Sequence, residues 1–283
     1  MIRCEAPIAI LMAVYNAEKY LLEQLESIIQ QSEKSWKLYI RDDGSTDGTI
    51  QIVKEFIQKD NRIELVNDDL KHLGPMKSFM RLLKLVDSEL YMFSDQDDYW
   101  LSNKIELSLE VYNTVENRDN IPVLVHTNVS VVDSDLNIIR ESRWDDINLN
   151  PDKLKKYHYL AQCCYTQGST MLFNKAAKKI SFPVIDYAIM HDWWIATRCI
   201  KQNGVIKTIH TPTMLYRQHS TNVLGMEYNV TKYSLFSFMK KMKIGLLENI
   251  DLYKQLKKDD YGPFIKFCWY KLILLLHRTR NGY

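Results

Sequence analysis

The sequence predicts an α/β protein with a mostly parallel central sheet flanked by helices, and three observations carry that prediction. Through the first hundred residues, apolar runs of strand length alternate with segments of helical apolar spacing. Such alternation is buried best as a parallel sheet covered by helices on both faces. Polar clusters stand directly after the first, second and fourth runs, where open parallel sheets bind their ligands. At 283 residues and 46% hydrophobic, the chain is also long and apolar enough to fill a sizeable core.

In chain order, residues 8–13 read as the first strand, and Asn16 as the cap of a helix carrying Leu21, Leu25, Ile28 and Ile29 on one face. Residues 37–41 form the second strand. The turn from Asp43 to Gly48 then opens a helix with Ile50, Val53, Phe56 and Ile57 inward. Residues 62–66 are the third strand, and Met76, Phe79, Met80, Leu83 and Val86 mark a helix after Gly74-Pro75. The fourth strand, 90–93, runs straight into Ser94-Asp95-Gln96-Asp97-Asp98. Past residue 120 the pattern turns mixed. A long strand at 123–132 is closed by Asp133-Ser134-Asp135, 168–173 is strand-like, 192–202 helical, and 205–210 and 214–217 are short strands. From about residue 230 the chain reads as Lys-, Leu-, Phe- and Trp-rich helices. The expected organisation is a domain over 1–225, with a nucleotide-binding half (1–115) and an acceptor half (116–225), then a basic amphipathic extension over 226–283.

Composition narrows the class. With 25% charged residues, 9 Gly and 7 Pro, the chain is neither disordered nor fibrous. The net charge of +2 hides an asymmetry: 232–283 holds 11 basic and 4 acidic residues, and the preceding part 26 and 31. The five cysteines are irregularly spaced, with no CxxC pair for zinc and no disulfide framework. Arg3 and Glu5 precede the first apolar run, which does not read as a signal peptide. A reduced cytoplasmic setting is expected. No apolar run approaches the roughly 18 residues of a membrane span; the nearest, 264–276, is broken by Lys266 and Lys271.

Four clusters bear chemistry. Asp95, Asp97 and Asp98 repel one another at a strand end unless a cation joins them, and hard oxygens suit Mg²⁺ or Mn²⁺ on a diphosphate. A solvated acidic turn would also account for them. Near Ala13-Val14-Tyr15-Asn16, Asp43 suits an N3–H of a pyrimidine ring and Tyr15 its face, although Asp43 or Ser45 as a helix cap is an equal reading. Asp192, in His191-Asp192-Trp193-Trp194, suits a general base beside an acceptor hydroxyl, or a dipole-favoured first-turn residue with both tryptophans in the core. In Tyr216-Arg217-Gln218-His219, the histidine suits a metal and the arginine a phosphate oxygen.

In this order, Ala13–Asn16, Asp42–Asp47, Asp95–Asp98 and His191–Trp194 resemble the motifs of family 2 glycosyltransferases, over about the first 225 residues. Ser94–Asp98 taken with His191–Trp194 and Tyr216–His219 is similar to bacterial rhamnosyltransferases of polysaccharide assembly. The resemblance implies a GT-A fold, a nucleoside-diphosphate sugar donor, inversion at the anomeric carbon, and a saccharide or lipid-linked acceptor in cell-surface polysaccharide or capsule synthesis. It assigns Tyr15 and Asp43 to the base, with Ala13, Val14, Asn16 and Gln96 in the same nucleotide site. Asp95 goes to the ribose side, Asp97 with His219 to Mn²⁺ or Mg²⁺, and Asp192 to the general base. His191, Trp193, Trp194 and Arg217 fall to acceptor or phosphate contacts. Many relatives carry an acidic residue where His191 stands, so the charge beside Asp192 departs from the pattern. The donor reading is rhamnose from dTDP-rhamnose, with a UDP-hexose or UDP-N-acetylhexosamine as the alternative.

In the tail, Phe264, Phe267, Cys268, Tyr270, Leu274 and Leu275 share an apolar face beside Lys266, Lys271, Arg278 and Arg280. Attachment to the inner face of the cell membrane and packing on the domain or a second subunit both fit. No nucleic-acid motif accompanies the charge, and oligomeric state has no signature. Competing classes fare worse. A sugar nucleotidyltransferase needs a glycine-rich loop where Tyr15–Tyr20 has no glycine, a dinucleotide enzyme needs a GxGxxG that is absent, and a non-catalytic nucleotide-binding scaffold has no physical reason to keep three repelling aspartates.

Overall fold

The structure is a computed structural model that describes residues 2–4, 7–146, 149–184, 188, 190–219 and 249–280. Strands run over Ile2–Arg3 (β1), Ile8–Val14 (β2), Trp36–Asp42 (β3), Ile63–Leu65 (β4), Val86–Asp87 (β5), Leu90–Ser94 (β6), Tyr99–Trp100 (β7), Val123–Val132 (β8), Ile138–Arg140 (β9), Met171–Asn174 (β10) and Val205–Arg217 (β11). Helices cover Leu21–Ile29 (α1), Thr49–Lys59 (α2), Gly74–Leu85 (α3), Lys104–Asn113 (α4), Arg143–Asp146 (α5), Tyr157–Leu160 (α6), Lys175–Ile180 (α7) and His191–Lys201 (α8), followed by a helix at 249–257 and the C-terminal helix Phe264–Arg280.

Strands β4, β3, β2 and β6 pair in parallel. Antiparallel β10 joins β6 to β8, β11 runs parallel to β8, and β7 and β9 pair antiparallel with β11 and β8. Strands β2, β6 and β8 are buried on both faces because helices cover both, as parallel sheets require. Leu21, Leu25, Ile28, Val53, Phe56 and Ile105 close one face. Phe79, Leu83, Ala177, Ile195 and Cys199 close the other. The register aligns Val14 with Asp42 and Met12 with Ser94, so the loops after β2, β3 and β6 leave the sheet at one edge.

Several expectations change. Asn16 caps no helix: α1 starts at Leu21, and Asn16 takes φ 48° while its side-chain oxygen accepts from the Thr46 amide at 2.9 Å. The stretch 168–173 is a 3-10 turn over Gly168–Thr170 before β10. The strands expected at 205–210 and 214–217 are one strand, β11, whose register shifts on either side of Pro212, a residue with no amide to give the ladder. One sheet draws strands from both halves of the expected 1–225 domain. The 225/226 boundary lies outside the described residues.

The C-terminal helix packs on the domain through Phe267 and Leu274, which are buried, and through Tyr270, whose ring lies 4.7 Å from that of His158. Asp259 ties the region down, 2.6 Å from Lys201 and 3.2 Å from Arg198. The apolar face expected for this helix is therefore divided. Phe264 and Cys268 are exposed, and the Leu275 side chain lies outside the described residues. Among the described residues no helix is long and apolar enough to cross a membrane.

At the centre of β8, His126 is fully buried between the rings of Trp144 (5.3 Å) and Tyr165 (5.4 Å), with Nε2 3.3 Å from the Thr208 hydroxyl. Burial pushes its pKa down to about 3. Below its unfolded value of about 6.5 the unfolded chain binds a proton that the folded chain refuses, so stability falls with acid by up to about 1.4 kcal/mol per pH unit. Urea unfolding at pH 6 and pH 4.5 should show a steeper loss for the wild type than for His126→Gln. Equal losses would place the imidazole in water.

Candidate active site

The loop after β2 is stapled to its neighbours through backbone groups. The Tyr15 amide donates to Gln96 Oε1 at 2.7 Å and the Gln96 amide returns a bond to the Tyr15 carbonyl at 3.2 Å. The Asn16 amide donates to the Ser45 hydroxyl at 2.9 Å, and the Asp43 amide to the Val14 carbonyl at 2.8 Å. Asp42 accepts from the Gly44 and Ser45 amides, which folds the turn after β3, and Gly44 takes φ 101° there. Tyr15 is left 47% exposed, with its ring at right angles to that of His72 at 5.9 Å.

Asp43 forms the floor of this corner. Its carboxylate accepts from Arg41 Nη1 at 2.8 Å, Leu73 N at 2.9 Å and Gly74 N at 2.8 Å. Burial alone would raise its pKa, but Arg41 and the two amides hold it below the usual carboxylate range. Arg41 is itself buried and also meets Ser78 at 2.9 Å and Asp68 at 3.3 Å. Losing one partner of such a buried pair costs about 3–5 kcal/mol, so the orientation of Asp43 is strongly held. An ionised carboxylate has about four lone-pair positions, and three protein donors leave one for a ligand N–H.

At the end of β6 the three aspartates separate. Asp98 turns inward and is fully buried; its Oδ1 accepts from the Arg217 amide at 3.3 Å, and its Oδ2 has no partner among the described residues. Burial, together with Asp95 and Asp97, raises its pKa well above the ordinary value. Burial pushes the Asp95 carboxyl up to about 7, with Asp97 and Asp192 adding to the shift. Burial also raises Asp97, against the attraction of His219, whose Nε2 lies 3.0 Å from Asp97 Oδ2. The His219 ring packs on Tyr20 at 4.7 Å.

Asp192 lies in the first turn of α8. Its Oδ1 accepts from the Trp193 amide at 2.7 Å and its Oδ2 from the Gly168 amide at 3.0 Å. Each oxygen keeps a lone pair for a further hydroxyl.

Comparison with known proteins identifies the family. The family model described as "Glycosyl transferase family 2" covers residues 9–180. The chain is 31% identical over 250 residues to the dTDP-rhamnosyl transferase RfbG of Shigella flexneri, which spans 84% of this chain and 79% of that protein. The chain belongs to glycosyl transferase family 2. A further relative is an Escherichia coli UDP-Glc:alpha-D-GlcNAc-diphosphoundecaprenol beta-1,3-glucosyltransferase, WfgD, at 25% identity over 70% of this chain and 71% of that one. Among solved structures, S. aureus TarS 1–349 in complex with UDP-GlcNAc superposes with a TM-score of 0.55 at 19% identity, covering 86% of this chain and 66% of TarS 1–349. The Pyrobaculum calidifontis mannosyltransferase PcManGT, in complex with GDP-Man and Mn²⁺, gives 0.54 at 16%, over 76% of this chain and 57% of that one. The fold is GT-A, and the chain is a glycosyltransferase of the nucleotide-sugar-using kind.

Within this family 2 frame, the structure brings Tyr15, Asn16, Asp43, Asp95, Gln96 and Asp97 to one sheet edge, with His219 on Asp97. It redirects other expected contacts. His191 is 3% exposed, stacked on Phe79 at 4.3 Å, and Trp194 is buried with Nε1 donating to the Ser181 carbonyl at 2.8 Å; both are core residues because α8 needs an apolar inner face. The Trp193 indole is held by the Leu160 carbonyl at 2.7 Å. The Arg217 guanidinium bonds the Asp97 carbonyl at 2.9 Å and also meets the Ser134 carbonyl and Glu23, so it braces the aspartate loop rather than reaching a phosphate. Val14 is core, and Ala13 is half-buried beside it. Sequence reasoning missed Arg41, whose signal was a lone arginine inside an apolar strand. It also missed Gly168 and Ser169, which no local pattern marks.

Among the described residues no group of three or more His, Cys, Asp or Glu encloses a metal. The Asp97–His219 pair still fits a divalent cation. Mg²⁺-like ions are commonly held by one or two protein ligands plus substrate phosphates, and the raised carboxyls show negative charge that a cation would relieve. Calorimetric titration of Mn²⁺ in the presence of a nucleoside diphosphate should show affinity falling by about 10–100-fold in Asp97→Ala and less in His219→Ala. Wild-type affinity in Asp97→Ala would remove Asp97 from the metal site.

Proposed function

We propose that this glycosyltransferase transfers a sugar, rhamnose from dTDP-rhamnose, to a hydroxyl of a saccharide or lipid-linked saccharide, with inversion. What supports the reading is the convergence at one sheet edge of the Tyr15–Asp43 corner, the Asp97–His219 pair and Asp192, whose charge acts on Asp95. Tyr15 offers a face for the base and Asp43 its remaining acceptor for an N–H. Asp192 takes the proton of the acceptor hydroxyl as that oxygen bonds to the anomeric carbon and the bond from this carbon to the diphosphate oxygen breaks. When bound, Mn²⁺ or Mg²⁺ on Asp97 and His219 would stabilise the negative charge of the departing diphosphate.

Rhamnose as the donor sugar is supported by the 31% identity to RfbG, named as a dTDP-rhamnosyl transferase. A UDP-hexose is the second reading, supported by the likeness to WfgD, named for UDP-Glc. Transfer assays with both donors separate them. Asp192→Asn should keep donor affinity within about twofold and lose roughly 10²–10⁴-fold in kcat, the usual worth of a positioned base. Transfer at the wild-type rate would reject Asp192 as base.

The acceptor reading extends to a lipid surface. Ile265 (78% exposed), Trp269 (61%) and Leu272 (49%), with Cys268, line one outward face of the C-terminal helix at spacings of three and four residues. Exposed Lys257 and Lys258 precede it in a segment with a basic surplus. Such a face suits the interface of an anionic membrane. Co-sedimentation with vesicles containing an anionic phospholipid should be lost in Ile265→Ser/Trp269→Ser/Leu272→Ser with transfer to a soluble acceptor retained. Wild-type protein that stays in the supernatant would refute the contact.

A further inference from the structure

The donor side and the acceptor side of the site meet in one short turn. Gly168–Thr170 form a single 3-10 turn ahead of β10. The Gly168 amide holds Asp192 Oδ2 at 3.0 Å, and the next residue, Ser169, is buried beside the Asp95 and Asp98 carboxylates. Gln167 locks the turn from behind. Its Nε2 donates to Ser169 Oγ at 3.3 Å, its Oε1 accepts from Arg143 at 2.7 Å, and its carbonyl accepts from both the amide and the hydroxyl of Thr170. The turn thus holds Asp192 at Gly168 and faces the aspartates that follow β6 at Ser169.

We propose that the Gly168–Thr170 turn is a positioning element that fixes Asp192 at the reacting centre, with Gly168 and His191 as its positioning residues. The proposal rests on the reading of Asp192 as base. The turn comes so close to α8 that Gly168 has no room for a side chain: a Cβ there would stand 2.6 Å from His191 Nε2. His191 cannot withdraw, because its ring is stacked on Phe79 at 4.3 Å and meets the edge of Phe93 at 4.8 Å. Both of its ring nitrogens lack a hydrogen-bond partner among the described residues. The imidazole therefore acts as a spacer that sets how far the N-terminus of α8 stands from the turn. Asp192 is the next residue, so a displaced His191 carries the carboxylate with it. Ångström-scale misplacement of a reacting group costs about 10²-fold in rate.

Steady-state kinetics with calorimetric donor binding test this. Gly168→Ala should lower kcat by about 10–100-fold with donor Kd within about twofold of wild type. Gly168→Ala/His191→Ala, which clears the collision, should recover at least about a fifth of the lost rate on the logarithmic scale of that estimate. His191→Ala, which removes the spacer and leaves Gly168 in place, should also lower kcat, with donor Kd within about twofold of wild type. Wild-type kcat in Gly168→Ala, or a double variant no faster than the single one while both bind donor, would overturn the proposal. If Gly168→Ala does not fold, His191→Ala decides, and wild-type kcat there would overturn it. Failure of the underlying base assignment looks different: Asp192→Asn would then remain active. An inactive Asp192→Asn beside a fully active Gly168→Ala would sink this proposal alone.

Discussion

Negative charge held at the rim of a buried sheet, against its own repulsion, is the constraint around which this molecule is arranged. Two like charges about 4 Å apart at an effective dielectric near 20 repel by about 4 kcal/mol, and burial makes each more costly. The chain responds differently at each carboxylate. Asp43 is stabilised by a buried arginine and two amides, and Asp97 by His219, whereas Asp98 is turned into the core. Burial, with Asp97 and Asp192 adding to it, raises the Asp95 carboxyl, and a cation beside it would oppose that shift. Folding alone has no use for such an arrangement.

The sheet makes the convergence possible, and the braces make it specific. Parallel pairing of β2 with β3 and β6 sends three loops off one edge, and Gln96 reproduces a strand-like pair of bonds with Tyr15 beyond the end of the ladder. Arg217, which reaches the aspartate loop from the far end of β11, ties the second half of the sheet to the first. Asp192 on α8, the proposed base, is held by a turn before β10, so both halves of the sheet contribute to the proposed site.

Much of this was legible in the sequence because it is local. Apolar runs located β2, β3, β6 and β8 to within a residue or two, and polar clusters after them located the sheet edge where Tyr15, Asp43, Asp95 and Asp97 converge. What escaped is non-local. Nothing near Asn16 says that its carboxamide will hold the Thr46 amide instead of capping α1. His191 and Trp194 looked like site residues because they flank Asp192, yet successive helix positions point in different directions and these two fall on the buried side. In the C-terminal helix the period was readable but its phase was not, because tertiary packing through Phe267 and Leu274 decided which face stayed outside.

A crystal of the protein grown with Mn²⁺ and dTDP gives the most direct test of the central claim. Anomalous scattering should place the cation at about 2.0–2.2 Å from an Asp97 oxygen, between the protein and both phosphates, with the thymine ring on Tyr15 and its N3–H on Asp43. A nucleotide seated away from that corner, or a cation bound without Asp97, would contradict the account.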